Sequence, residues 1–155
     1  MIRGRIKARD IMNPHAVVCS KDSCLQEVAR LMVDADCGEI LVVDSMESMR
    51  LVGVVTDRDI VTRTVAIGID PLNQRVAEYM TFPCVIVTGD STLQDCCQSM
   101  QDYKVRRLPI VSETGRCMGV VGLTDLLKVL SPRQIAELLG NLTTAKKPLG
   151  IHAAA

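Results

Sequence analysis

Two nine-residue strings set the chemical question: GVVTDRDIV at 53–61 and GVVGLTDLL at 119–127, each with an acid, Asp59 or Asp125, six residues after a glycine. An aspartate between two apolar runs is well suited to cap a helix, its carboxylate taking a free backbone N–H. The other residues able to do chemistry are seven cysteines, Cys19, Cys24, Cys37, Cys84, Cys96, Cys97 and Cys117, and two histidines, His15 and His152. The cysteines form no CxxC pair and their number is odd, so no tetrahedral zinc set follows from recognised spacings. They read as small apolar residues of a reduced compartment, with a cysteine-based redox response as a rival that rests on their number alone. There is no nucleophile beside a histidine base and no GxxxxGK[ST] phosphate loop, so the chain reads as non-enzymatic.

The segments on either side of the two acids form a repeat. Met12 matches Met80, Ser23 matches Ser91, Leu25 matches Leu93, Gln26 matches Gln94 and Met32 matches Met100, each 68 positions apart. Gly53 and Asp59 match Gly119 and Asp125 at 66, which places two extra residues in the SMESMR connection of the first copy. Ser23-Cys-Leu-Gln26 and Ser91-Thr-Leu-Gln94 read as capping boxes. The apolar stripes that follow, Leu25, Val28, Ala29 and Met32, then Leu93, Cys96, Cys97 and Met100, have the spacing of one-sided helices. Two β-rich runs come next in each copy, EILVVD with RLVGVVT and RLPIVS with CMGVVG, as hairpins; SETGR supplies a glycine for positive φ. Helical runs then extend through DIVTRTVAI to Gly68 and through DLLKVL, and short strands in AVVCS and CVIVT precede the capping boxes. The unit is β-α-β-β-α, written twice.

Composition bounds the class. The 155 residues are 48% hydrophobic, enough for a core. Lys plus Arg equals Asp plus Glu at 18 each, so no charge excess attracts DNA or an anionic membrane. Aromatics are only 2%, too few for base-stacking platforms. No apolar run approaches the ~20 residues of a membrane span, and MIRGRIKARD has no signal-peptide core. The expected compartment is the cytoplasm.

Two such units, opened by DIM or EYM and closed by Gly-Val-Val before Asp-apolar-apolar, resemble a tandem pair of CBS domains, a Bateman module, and specifically small stand-alone bacterial CBS-pair proteins, in which ARDIM, TDRDIV and VRRLP are familiar strings. The organisation expected is repeat 1 at 8–67, a linker at 68–74, repeat 2 at 75–130, a C-terminal helix at 131–142 and a loose tail at 143–155. The resemblance implies an α/β (α+β) fold with the two β-α-β-β-α repeats packed sheet to sheet about a pseudo-twofold axis, leaving two clefts that often hold adenine nucleotides. It implies that Asp59 and Asp125 accept hydrogen bonds from the vicinal hydroxyls of a ribose, and that helix amides near Thr56 or Leu123 point to a phosphate. Gly53 and Gly119 would permit close approach to the strand backbone, or merely mark bulges.

The copies differ at the implied site. Thr56 and Arg58 stand before Asp59 where Gly122 and Thr124 stand before Asp125; Val18 and Ile86 occupy the place of a family threonine near the base; Ile40 matches Leu108, and Leu41 matches Pro109. Arg106 corresponds to a basic residue that approaches a phosphate held by the partner repeat, where the first copy has Gly38 followed by Glu39; the alternative for Arg106 is a solvated strand-end charge. These differences favour Asp59 over Asp125 as the nucleotide site. The functional expectation is a regulatory module sensing AMP, ADP, ATP or another adenosyl compound, with no required cofactor or metal, acting on an unknown protein partner. A ligand-free dimerising scaffold is the alternative. Ser131-Pro132-Arg133-Gln134 reads as a further capping box, and the stripe Ile135, Leu138, Leu139 and Leu142 must be covered by its own module or by a second subunit; the resemblance implies a homodimer either way.

Overall fold

The computed structural model describes residues 6–144; the rest of the expected tail, with His152, lies outside the described residues. The fold is mixed α/β. In chain order it runs α1 (Ala8–Ile11), β1 (Val18–Ser20), α2 (Leu25–Asp34), β2 (Glu39–Val43), β3 (Leu51–Thr56), α3 (Asp57–Arg63), β4 (Val87–Thr88), α4 (Leu93–Tyr103), β5 (Arg107–Val111), β6 (Cys117–Gly122), α5 (Leu123–Leu127) and α6 (Pro132–Thr143). Two three-stranded sheets form, β1-β2-β3 and β4-β5-β6. In each, the central strand is parallel to the first and antiparallel to the third.

The chain divides into two compact units: Ala16–Cys84, and a discontinuous one that joins the residues up to His15 with those from Val85 on. In the Ala16–Cys84 unit, Leu25, Val28 and Met32 turn one face of α2 inward to meet Ile40, Val42, Val55 and Val76. In the discontinuous unit Cys96 and Met100 of α4 pack with Leu108, Ile110, Val121, Leu126 and Leu138. Cys96 thus serves the core. Leu138 is fully buried, so α6 folds back on its own unit. The end of α6 is held by Lys104, a left-handed residue (φ 55°) after α4, whose ammonium donates to the carbonyl of Asn141 and to Thr144 Oγ1.

Each unit is completed by a segment that precedes the other repeat in sequence. In the discontinuous unit, Ala8 N–H donates to Ser91 O (2.8 Å), and Asn13 exchanges both backbone hydrogen bonds with Val120 (2.8 and 3.0 Å). In the Ala16–Cys84 unit, Val76 N–H donates to Ser23 O (2.9 Å), and Thr81 exchanges both with Val54 (2.7 and 3.1 Å). Ala8 and Val76 are the fully buried residues of these straps, Lys7–Asn13 and Arg75–Thr81.

The straps account for Gly53 and Gly119. A Cβ on Gly119 would lie 2.6 Å from Asn13 O and 3.2 Å from Pro14 Cα; one on Gly53 would lie 2.7 Å from Met80 Sδ and 3.0 Å from Thr81 O. The group that approaches these strands is the chain itself.

The straps also shift the helix starts from the expected positions. The N-caps of α2 and α4 are Cys24 and Thr92, one residue beyond Ser23 and Ser91. Glu27 reaches back to Cys24 N–H (3.1 Å). Thr92 and Asp95 bond reciprocally (2.8 and 3.1 Å), whereas Ser91 Oγ accepts Thr88 N–H (3.2 Å). Bridges from Arg75 to Cys24 and from Lys7 to Thr92 hold the capping residues extended, and an N-cap requires that conformation. The Ser131 box forms as expected, with Gln134 Oε1 3.0 Å from Ser131 N.

Two further departures are local. α3 ends at Arg63, where buried Thr64 turns its hydroxyl onto Ile60 O (2.5 Å); a 3-10 turn, Val65–Ile67, then reaches left-handed Gly68 (φ 78°). β4 pairs over two residues and β1 over three. Leu41 N–H bonds Val17 O (3.2 Å), but Pro109 at the matching position has no N–H to give.

Candidate functional site

α3 begins with a closed cap. Thr56 N–H donates to Asp59 Oδ2 (3.0 Å), and Asp59 N–H donates to Thr56 Oγ1 (3.1 Å). β3 leads directly into it, and Asp57 N–H donates to the carbonyl of Gly38, the residue before β2 (3.0 Å). A Cβ at Gly38 would lie 3.0 Å from Asp57 Oδ2, which explains a glycine there. At α5 the counterpart is Leu123 N–H to Arg106 O (2.8 Å), with Leu123 in the place of Asp57. Asp125 Oδ2 accepts Gly122 N–H (2.9 Å).

The two carboxylates differ in their other partner. Asp59 Oδ1 faces the Arg63 guanidinium at 3.2 Å, with both side chains largely buried (16% and 19% exposed). Arg63 also donates to Tyr79 O (2.6 Å) and Thr81 Oγ1 (3.0 Å). Asp125 Oδ1 has Lys128 at 3.7 Å, and that lysine is exposed. The place of Arg63 in the second copy belongs to Val129.

Sequence reasoning passed over Arg63. Its signal was the acid-to-base spacing of four in DIVTR, which puts Asp59 and Arg63 on one helix face.

The remaining expected residues fall as follows. Thr56 and half-buried Val18 share the Ala16–Cys84 unit with Asp59; Arg58 there is exposed. Ile40 and Leu108 are fully buried core residues, one in each unit, so their side chains are committed to packing. In the discontinuous unit Thr124 and Arg106 are exposed, Pro109 is buried and Ile86 is 47% exposed just before the shortened β4. A cavity of about 310 Å³ lies between α4 and α6 beside Gln94, Cys97, Gln101 and Glu137; it includes none of the expected site residues.

Burial pushes the Cys19 thiol up to about 12 and Cys96 up to about 11, and raises Cys97 and Cys117 as well. A thiol so held stays protonated and is a poor nucleophile. Among the described residues no three His, Cys, Asp or Glu side chains gather as a metal site, and no helix is long and apolar enough to cross a membrane.

A tandem carboxylate-capped β-α-β-β-α unit defines the class, and the chain belongs to the CBS-domain family: the CBS domain model matches residues 8–65 and 76–132. The CBS domain-containing protein YhcV of Bacillus subtilis is 37% identical over 136 residues, 87% of this chain and 94% of the relative. Hypoxic response protein 1 of Mycobacterium tuberculosis is 30% identical over 132 residues, 85% of this chain and 90% of that protein. A crystal structure of hypoxic response protein I with two coordinated zinc ions matches with TM-score 0.73 at 31% identity, over 81% of this chain and 100% of that one. The cytosolic domain of the Mg2+ channel MgtE in complex with ATP matches with TM-score 0.67 at 36% identity, over 80% of this chain and 48% of that chain.

Proposed function

We propose that this protein is a regulatory module that binds an adenine nucleotide or adenosyl compound and signals by a change of conformation or assembly. The observation that carries the reading is the pair of ionisable carboxylates, Asp59 and Asp125, each fixed by a backbone N–H at the head of the last helix of its repeat. A carboxylate held in this way has further lone pairs for vicinal hydroxyls. ATP bound to the related MgtE domain supports the same ligand class.

Asp59 is the better oriented acceptor in this reading, because Arg63 holds it as well. The signal arises from differential affinity of the ligand for two states of the module. Assembly as a homodimer belongs to the same reading, supported by the exposed apolar residues Val61, Val65 and Ile67.

The test is thermal denaturation of the intact chain with ATP, AMP and S-adenosyl compounds, alongside light scattering. A ligand at 100 times its Kd adds ~2.7 kcal/mol of stability. Asp59→Ala should weaken binding by tens-fold, since losing a charged hydrogen-bond partner costs ~1.5–3 kcal/mol, and Asp125→Ala should weaken it less. No shift with any of these ligands would leave the dimerising scaffold as the better reading; a monomer in light scattering would remove the dimer.

A further inference from the structure

The Arg63 side chain bonds both the Asp59 carboxylate and the strap Arg75–Thr81. Its guanidinium spans three acceptors from two segments: Asp59 Oδ1 at 3.2 Å, Tyr79 O at 2.6 Å and Thr81 Oγ1 at 3.0 Å. The planar fork of arginine suits such bridging, and lysine would not reproduce it. Thr81 is the residue whose backbone pairs reciprocally with Val54, beside Gly53, so the guanidinium sits at the point where the strap meets β3. The other unit repeats the strap, the glycine and the acid without this bridge. There Asn13 pairs with Val120, but Val129 stands in the place of Arg63, and the basic group near Asp125 is exposed Lys128 at 3.7 Å.

We propose that Arg63 is a positioning residue that couples the Asp59 carboxylate to the seating of the Arg75–Thr81 strap, so that a ligand held by Asp59 tightens this strap and a loosened strap weakens the ligand. The ligand half rests on the nucleotide reading above; the latch itself does not. The coupling follows from shared hydrogen bonding. With the strap seated, Tyr79 and Thr81 hold Arg63, and Arg63 holds Asp59 in one orientation, so less conformational freedom is lost when a vicinal diol binds. Reciprocity then requires the ligand to favour the seated strap by the same factor. The Lys7–Asn13 strap has no corresponding wire and should not respond through this route.

The experiment is amide hydrogen exchange on the full-length chain, read at Thr81 and Val54, with Asn13 and Val120 as the internal reference. The variants are Arg63→Gln, Arg63→Lys, Asp59→Asn and Arg63→Gln with Asp59→Asn. Asparagine keeps an acceptor for Thr56 N–H and removes the charge that holds Arg63. Without ligand, Arg63→Gln and Asp59→Asn should each speed exchange at Thr81 and Val54 by about tenfold, the scale of one lost charged hydrogen bond. The double variant should be no faster than the faster single one, Arg63→Lys should fall between, and the reference amides should keep their rates. ATP and AMP, added separately, should slow Thr81 and Val54 exchange in the wild type and lose that effect in Arg63→Gln. Thr81 exchange unchanged in Asp59→Asn, or additive effects in the double variant, would overturn the latch. Slowing by a nucleotide that persists in Arg63→Gln would overturn the coupling. If neither nucleotide binds the wild type, the ligand half falls together with the functional reading, and the ligand-free comparison still decides the latch.

Discussion

A strand glycine in this family of repeats reads equally well as a bulge, a ligand approach or a packing necessity, and the distinction lies in what occupies the missing side chain's space. At Gly119 that space holds Asn13 O of the paired strap and Pro14 Cα just after it, backbone atoms that cannot swing aside as a flexible side chain could. Gly119→Ala should therefore destabilise the protein by ~1–3 kcal/mol, the usual cost of overpacking. Gly122 makes the contrast. A Cβ there meets Asp125 Oδ2 at 3.4 Å and Thr124 Oγ1 at 3.6 Å, ordinary contacts, and its φ of −94° suits any residue. Gly122→Ala should stay within ~0.5 kcal/mol. Denaturant titration of both variants checks the pair; equal losses would mean that the strap yields at Gly119. Asp59 and Asp125 illustrate what one sequence hides at this scale. Their positions are visible from the repeat, but the guanidinium on one and not the other depends on Arg63 against Val129, outside the motif that draws the eye.

The elements themselves were legible because burial enforces periodicity. The alternating and helical apolar patterns placed six strands and the one-sided helices α2 and α4 at their observed segments. The helix starts were misplaced by one residue for a physical reason: Ser91 and Thr92 can each begin a box, and the choice is made by Lys7, 85 positions away, whose bridge holds Thr92 extended. Thr92→Ala should accordingly cost ~1 kcal/mol, and Ser91→Ala less. The cost should depend on pH. The backbone N–H and hydroxyl of Thr92 hold the Asp95 carboxyl below its ordinary range. The stabilisation from this bond is full above the unfolded carboxylate pKa and drains away as pH falls through the lower folded value. Urea titrations at neutral pH and in strong acid should show the Thr92→Ala penalty shrinking; a penalty larger for Ser91→Ala, or constant with pH, would contradict the cap assignment. The short β4 was also hidden in plain view: Pro109 is in the sequence, and its effect falls on the neighbouring strand.

For the whole molecule, sequence repeats and compact units do not coincide. Residues 8–67 and 75–130 share a repeated pattern, yet each strap completes the other repeat's body, and nothing in the strings KARDIMN and RVAEYMT announces that choice beforehand. A cut in the exposed Leu72–Asn73 segment gives a test. The amino-terminal piece keeps Lys7–Asn13, which is seated among residues of the carboxy-terminal piece; the latter keeps Arg75–Thr81, seated in return among residues of the former. Native mass spectrometry of the nicked protein should find both pieces together until denaturant is added, and separation without denaturant would count against the exchange. The same arrangement imposes an order on synthesis. All parts of the Ala16–Cys84 unit have left the ribosome once Cys84 emerges, so it can close during translation. The Lys7–Asn13 strap, with Ala8 and Met12, must wait for Val120, a delay of roughly 5–20 seconds at ~5–20 residues per second. In that interval the nascent chain carries a strap with no seat for Ala8, and β6 is the strand whose emergence ends its exposure to chaperones and proteases.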